Sequence, residues 1–201
     1  EHNEVRREVV DLGTDAWSER KGRISTIGKA FIRTARRGRG RMAFADSTGK
    51  ELSYMKALIG AIVLSKKLRT EWEGQENVGI LLPPSVGGAL TNLAAILMGK
   101  TVVNLNYTLS EEAIKSCVKQ CDIKCVISSE KVIRKLNIDP GVPVIAIEEI
   151  AKNTSSLQKL SAALMAYTIP RNLLLKLLGQ GKVHSLDDTA TIIFSSGSTG
   201  E

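Results

Sequence analysis

From Lys50 to the end of the chain, short apolar runs alternate with segments whose apolar residues recur every three or four positions, and few folds accommodate that alternation. Ser53 can cap a helix in which Met55, Leu58, Ile59 and Ile62 share a face. Asn77 to Leu82 then reads as a strand stopped by Pro83-Pro84. A second helix starts at Ser85, carries Leu90, Leu93, Ala94 and Leu97, and ends at Gly99. Thr101 to Leu105 is β-branched and apolar, hence a strand, and Ser110-Glu111-Glu112 opens a helix with its acids at the positive end. Cys125 to Ser128, Val144 to Ile147 and Thr191 to Phe194 supply three further strands, the last expected in the interior of the sheet. Apolar strands with helical connections predict an α/β fold, a largely parallel sheet with helices on both faces. No Gly-x-Gly-x-x-Gly follows an early strand, which argues against an oxidoreductase nucleotide-binding domain, and Gly87-Gly88 suits close helix–sheet packing instead.

Two stretches break this rhythm. Residues 1–42 are polar and poorly periodic apart from a helical pattern over Ile24 to Phe31, and they read as a basic arm or inter-domain linker ahead of a domain over 43–201. The formal net charge is +7, and residues 1–41 hold eleven Lys/Arg against six Asp/Glu. The run Arg33, Arg36, Arg37, Arg39 and Arg41 has the charge to meet nucleic acid, anionic lipid or an acidic protein. No aromatic is interleaved for base stacking, so a solvated linker is favoured and no nucleic-acid partner is expected. Residues 154–182 form two amphipathic pieces split at Pro170, with Leu157, Leu160 and Leu164 in one, Leu173 to Leu175 in the other, and Lys159, Arg171, Lys176 and Lys182 beside them. Such a stripe fits either the surface of an anionic membrane or a helical hairpin packed on its own domain or on a part of the protein outside this chain.

Cys117, Cys121 and Cys125 match neither a zinc nor a redox spacing, and His2 and His184 are remote. They read as core thiols of a reducing, cytoplasmic protein, with peripheral contact to the inner face of the membrane as a further expectation, and no metal site is expected. No apolar run reaches the roughly 18 to 20 residues of a membrane span. A start at Glu1 and a stop inside a loop motif point to a fragment of a longer polypeptide.

That loop motif carries the chemistry. After the Thr191 to Phe194 strand come Ser195, Ser196, Gly197, Ser198, Thr199 and Gly200, whose hydroxyls and unobstructed amides can converge on one anion. A Walker A loop requires Lys after a Gly, and here Glu201 follows Gly200. A Ser/Gly/Thr-rich stretch also suits a flexible tail, but an apolar strand leading straight into it favours a phosphate cradle beyond the carboxyl end of a parallel sheet.

Phe194-Ser195-Ser196-Gly197-Ser198-Thr199-Gly200 closely resembles the phosphate loop of the adenylate-forming enzymes, the acyl- and aryl-CoA synthetases, peptide-synthetase adenylation domains and luciferases, in which Pro-Lys-Gly normally follows. Val78 to Ser85, Ala94 to Asn106 and Leu109 to Glu112 are similar to the early part of that family's large domain. Asp46 to Tyr54 and the arginine-rich arm resemble the join between acyltransferase and acyl-[acyl carrier protein] synthetase in bifunctional 2-acylglycerophosphoethanolamine acyltransferases. The resemblance implies the N-terminal portion of an AMP-binding domain in a ligase that converts a fatty acid, with ATP and Mg2+, to an acyl adenylate. The acyl group then passes to the phosphopantetheine thiol of acyl carrier protein or CoA. It gives Ser195, Ser196, Gly197, Ser198, Thr199 and Gly200 the β- and γ-phosphates of ATP, and places the loop lysine, the magnesium-holding acid and the catalytic lysine beyond Glu201. No residue of the chain thereby receives a catalytic role, and the chain alone is expected to be inactive. The alternative is a non-catalytic module that binds anionic membrane or acidic partners through the arm and the amphipathic helices.

Overall fold

The computed structural model describes residues 2–22, 24–181 and 185–194. In chain order the elements are α1 His2–Lys21, α2 Ile27–Arg37, β1 Met42–Ala45, β2 Glu51–Ser53, α3 Tyr54–Lys67, β3 Asn77–Ile80, α4 Val86–Leu97 and β4 Thr101–Asn104. They continue as α5 Glu111–Gln120, β5 Val126–Ser128, α6 Glu130–Leu136, β6 Val144–Ala146, α7 Ile147–Lys152, α8 Ser156–Thr168, α9 Arg171–Leu178 and β7 Thr191–Ile193. Serines begin the helices as their sequence positions predict: the hydroxyls of Ser53, Ser85 and Ser110 accept from the amides of Lys56, Gly88 and Ala113.

Five strands form a wholly parallel sheet in the order β6-β5-β3-β4-β7. Alternate residues of each strand point to opposite faces. Val78, Ile80, Val102 and Ile127 pack with Leu64, Leu68, Ala94 and Met98 of the α3–α4 side. Leu81, Val103 and Val126 pack with Ile114, Cys117, Val118 and Ile123 on the α5 side. Both faces are therefore covered by helices, as the apolar runs require. Gly79 is the exception to side-chain filling: a Cβ there would lie 2.9 Å from Ile123 Cγ2 and 3.1 Å from Val126 Cγ2, so glycine lets Ile123 rest on the strand. Cys117, Cys121 and Cys125 are buried free thiols, and burial pushes each thiol pKa up, which suits core positions.

β7 corrects one expectation. It pairs only with β4 and forms the edge of the sheet among the described residues, with Ile193 73% exposed. The apolar run Thr191 to Phe194 carries no information on whether a second strand flanks it.

A further helical layer lies outside α3 and α4. Ile32 and Ala35 of α2, Ala162 and Ala166 of α8, and Leu174, Leu175 and Leu178 of α9 enclose Met55, Leu58, Ile62, Leu93 and Leu97. The amino-terminal region is thus more helical than its polarity predicts. α1 is exposed from Glu4 to Arg20, whereas α2 buries only Gly28, Ile32 and Ala35, a stripe too narrow to stand out among Lys29, Arg33, Arg36 and Arg37. α8 and α9 form a hairpin packed on the domain: the alanines of α8 face the core, while Leu157, Leu160 and Leu164 are 77%, 66% and 63% exposed. Arg36 ties the hairpin down, its Nε donating to Ala166 O at 2.9 Å and its guanidinium also to Ile169 O. No described helix is long and apolar enough to cross a membrane.

The β1–β2 hairpin was not anticipated, although Asp46-Ser47-Thr48-Gly49 is a turn sequence, and Gly49 adopts φ +77° there. Asp46 joins this hairpin to α4: Oδ1 accepts from Thr48 N at 2.9 Å and Oδ2 from Val86 N at 3.0 Å. The Thr48 hydroxyl, then the Val86 amide, holds the carboxyl pKa down to about 2. An unfolded aspartate titrates near ~3.9. Between these values the unfolded chain binds more protons, so the stabilisation is complete above about pH 4 and is lost as pH falls through about 2. Melting temperatures measured from pH 2 to 6 should show wild type above Asp46→Asn at pH 6 and the two converging at pH 2. Parallel curves would mean that the carboxylate charge contributes nothing.

Candidate active site

Because β3, β4 and β7 run parallel, their carboxyl ends open on the same side of the sheet. After β3 the chain passes through Leu81-Leu82-Pro83-Pro84 and turns into α4 at Ser85, whose Oγ accepts from Gly88 N at 3.1 Å. A Cβ on Gly88 would approach Pro83 O to 3.1 Å, so this glycine permits the tight turn of the loop onto its own helix. After β4, Asn106 Oδ1 accepts from Thr108 N at 3.0 Å and from the Thr108 hydroxyl at 2.8 Å, fixing the Asn106-Tyr107 corner. β7 is locked beside β4 by side chains as well as by its ladder. Thr191 Oγ1 donates to Val102 O, and Thr101 Oγ1 to Thr189 O, each at 3.0 Å.

These three ends enclose a cleft of about 350 Å3, walled by Leu82, Pro83, Leu105, Tyr107, Ile193 and Phe194. Asn92 of α4 and Asn104 of β4 also line it and form a reciprocal amide pair. Asn92 Nδ2 donates to Asn104 Oδ1 at 3.1 Å, Asn104 Nδ2 donates to Asn92 Oδ1 at 2.9 Å, and Asn92 Nδ2 is shared with Gly88 O at 2.9 Å. Each amide fixes the other, which leaves a rigid polar spot in an otherwise apolar cleft. The sequence offered one sign of this pair, a polar residue ending the apolar run Thr101-Val102-Val103, but nothing that joined positions 92 and 104.

No carboxylate, lysine, arginine or histidine lines this cleft among the described residues. No group of three or more His, Cys, Asp or Glu side chains able to hold a metal ion occurs among the described residues. Ser195, Ser196, Gly197, Ser198, Thr199 and Gly200 lie outside the described residues. What the structure fixes is their point of departure, Phe194, at the mouth of the cleft.

The model of the AMP-binding enzyme family matches residues 31–201, from within α2 to the end of the chain. The chain belongs to the AMP-binding enzyme family. Solved structures share its fold at low identity. The N-terminal subdomain of NpsA from Klebsiella oxytoca superposes with TM-score 0.66 at 20% identity over 88% of this chain and 40% of that one. VinN in complex with 3-methylaspartate gives 0.64 at 17% over 88% and 45%. O-succinylbenzoate coenzyme A synthetase (MenE) from Bacillus subtilis, in complex with AMP, gives 0.62 at 16% over 85% and 39%. The chain spans less than half the length of each of these structures.

Proposed function

We propose that this chain is the N-terminal portion of an AMP-forming ligase that activates a fatty acid. A carboxylate oxygen attacks the α-phosphorus of ATP, and the new C–O–P linkage forms as the bond to pyrophosphate breaks; the thiol of a phosphopantetheine arm then attacks the acyl carbonyl carbon, the C–S bond forming as the C–O bond to AMP breaks, with AMP and the thiol proton released. That arm belongs to acyl carrier protein or CoA. Ser195, Ser196, Gly197, Ser198, Thr199 and Gly200 hold the β- and γ-phosphates in this reading, with small hydroxyl and amide donors offsetting the charge of the departing pyrophosphate. The observation that carries it is the family match through residue 201, continuous with a parallel strand that delivers Phe194 to the mouth of a carboxyl-end cleft. The described part of that cleft is uncharged, which suits an acyl group entering beside the phosphates rather than the phosphates themselves.

The test is ATP–pyrophosphate exchange by a polypeptide that carries this chain at the full length of its relatives. Exchange should depend on an added fatty acid. Exchange driven by benzoate or an amino acid, with no response to a fatty acid, would redirect the substrate assignment.

One observation supports a second reading, docking on an anionic membrane. Leu157, Leu160, Leu164 and Tyr167 point outward on one side of α8, and the sequence between Glu149 and Asp187 contains five Lys or Arg and no acid. An apolar face with cationic anchors is what an interfacial helix requires. Binding to phosphatidylglycerol vesicles should then be independent of nucleotide and weaken as salt rises. Equal binding to phosphatidylcholine vesicles would refute it.

A further inference from the structure

A second cleft, of about 660 Å3, opens on the α3–α4 side of the sheet near β6. It is separated from the carboxyl-end cleft by the Leu82-Pro83 loop, which walls both. β6 and β7 are the opposite edges of the sheet, four strand spacings apart, or about 19 Å. Neither Ile193 nor Phe194, from which Ser195 departs, lines this cavity.

Its walls are apolar and half-buried: Ile59 and Val63 from α3, Leu82, Leu90 from α4, and Ile147 at the start of α7. The rim carries Lys50, Lys56, Lys131 and Lys159, brought together from the hairpin, α3, α6 and α8. Two acids share the rim, and both are engaged with backbone amides. Asp46 Oδ2 accepts from Val86 N, and Glu148 Oε2 accepts from Glu130 N, each at 3.0 Å. Among the described residues none of the four lysines forms an ion pair. The cavity thus combines a large apolar floor with ammonium groups that form no ion pair among the described residues. A simple inorganic anion would leave the floor wet, and a cationic amphiphile would meet like charge at the rim.

We propose that this cleft binds a single-chain anionic amphiphile, with its alkyl chain along Ile59, Val63, Leu90 and Ile147 and its head group at Lys56 and Lys159. The volume falls within the usual range for small-molecule pockets, about 300–1,000 Å3. The proposal is independent of the ligase reading, since it uses neither the Ser195 to Gly200 segment nor the carboxyl-end cleft. A carboxylate and a phosphate monoester present the same chemistry here, and the two are distinguished by their relative affinities.

The experiment is calorimetric titration of the chain with decanoate, decyl phosphate and decyltrimethylammonium, each below its micelle-forming concentration. One saturable site is expected for the anions, with the cation at least about tenfold weaker, and each methylene from octanoate to dodecanoate should tighten binding roughly fourfold. Gly87→Leu should lower the affinity at least about tenfold by filling the cavity: a Cβ at Gly87 meets Ile147 Cδ1 at 3.7 Å and Ser85 Oγ at 3.9 Å, ordinary contacts that point the new side chain inward. If Gly87→Leu fails to fold, the double variant Lys56→Gln with Lys159→Gln decides, with a loss of about fivefold or more expected for the anions and none for the cation. Absence of saturable binding, equal binding of the cation, or unchanged binding in the variants overturns the proposal.

Discussion

Thr199→Ala, made in a polypeptide that carries this chain at the full length of its relatives, should reduce fatty-acid-dependent pyrophosphate exchange by about 10²- to 10³-fold while leaving the KM for the fatty acid within a few-fold of wild type. A hydroxyl aimed at the departing pyrophosphate contributes most where negative charge accumulates, at the transition state, and removal of one such preorganised donor has costs of this size. The split between the two parameters is the informative part. A residue that merely shaped the acyl pocket would raise KM with little change in kcat, whereas a phosphate donor lowers kcat and kcat/KM together. Thr199→Ser, which keeps the hydroxyl, should restore most of the activity. If exchange by Thr199→Ala equals wild type, the residue has no role at the phosphates, and the loop must act through its backbone amides alone.

The layers of the fold were legible because their signals are local. Ser53, Ser85 and Ser110 each stand one position before a helix and accept from its first turn, and the runs around Val78, Val102, Val126 and Ile192 are apolar on both faces as a covered parallel sheet demands. What the sequence withheld depends on which distant segments meet. The edge position of β7 is decided by the strand order, and the Asn92–Asn104 pair by α4 lying over the end of β4. The orientation of α8 is a third case. Its leucine stripe looks like the buried face by hydrophobicity, but α3 and α8 pack through Ala162 and Ala166, which turns Leu157, Leu160 and Leu164 outward. The Ser195 to Gly200 segment is readable in the sequence only as a motif attached to a strand, and the structure adds the neighbourhood of that strand's end: apolar walls, one amide pair and, among the described residues, no charge.

The largest stability effect is expected at Trp72, which the sequence did not single out. It lies in the turn between α3 and β3, is 0% exposed, and packs in the same cluster as Leu64, Leu68, Val78 and Met98. Its indole Nε1 is buried without a hydrogen-bond partner among the described residues. Two terms of opposite sign therefore meet in one side chain. Truncation to alanine empties a large volume in a layer that joins α3 and α4 to the sheet, and such changes cost about 3–5 kcal/mol. For a chain of this size that is a fall in Tm of about 6–20 °C. Phenylalanine keeps most of the apolar volume and eliminates the orphaned N–H, whose burial costs about 1–3 kcal/mol. Trp72→Phe should consequently lose less than about 2 kcal/mol, because relief of the unsatisfied donor offsets much of the smaller void. Urea denaturation of the two variants separates the terms. Equal losses for Phe and Ala would show that the indole nitrogen is satisfied in solution and that the whole ring, not its hydrocarbon alone, stabilises this layer.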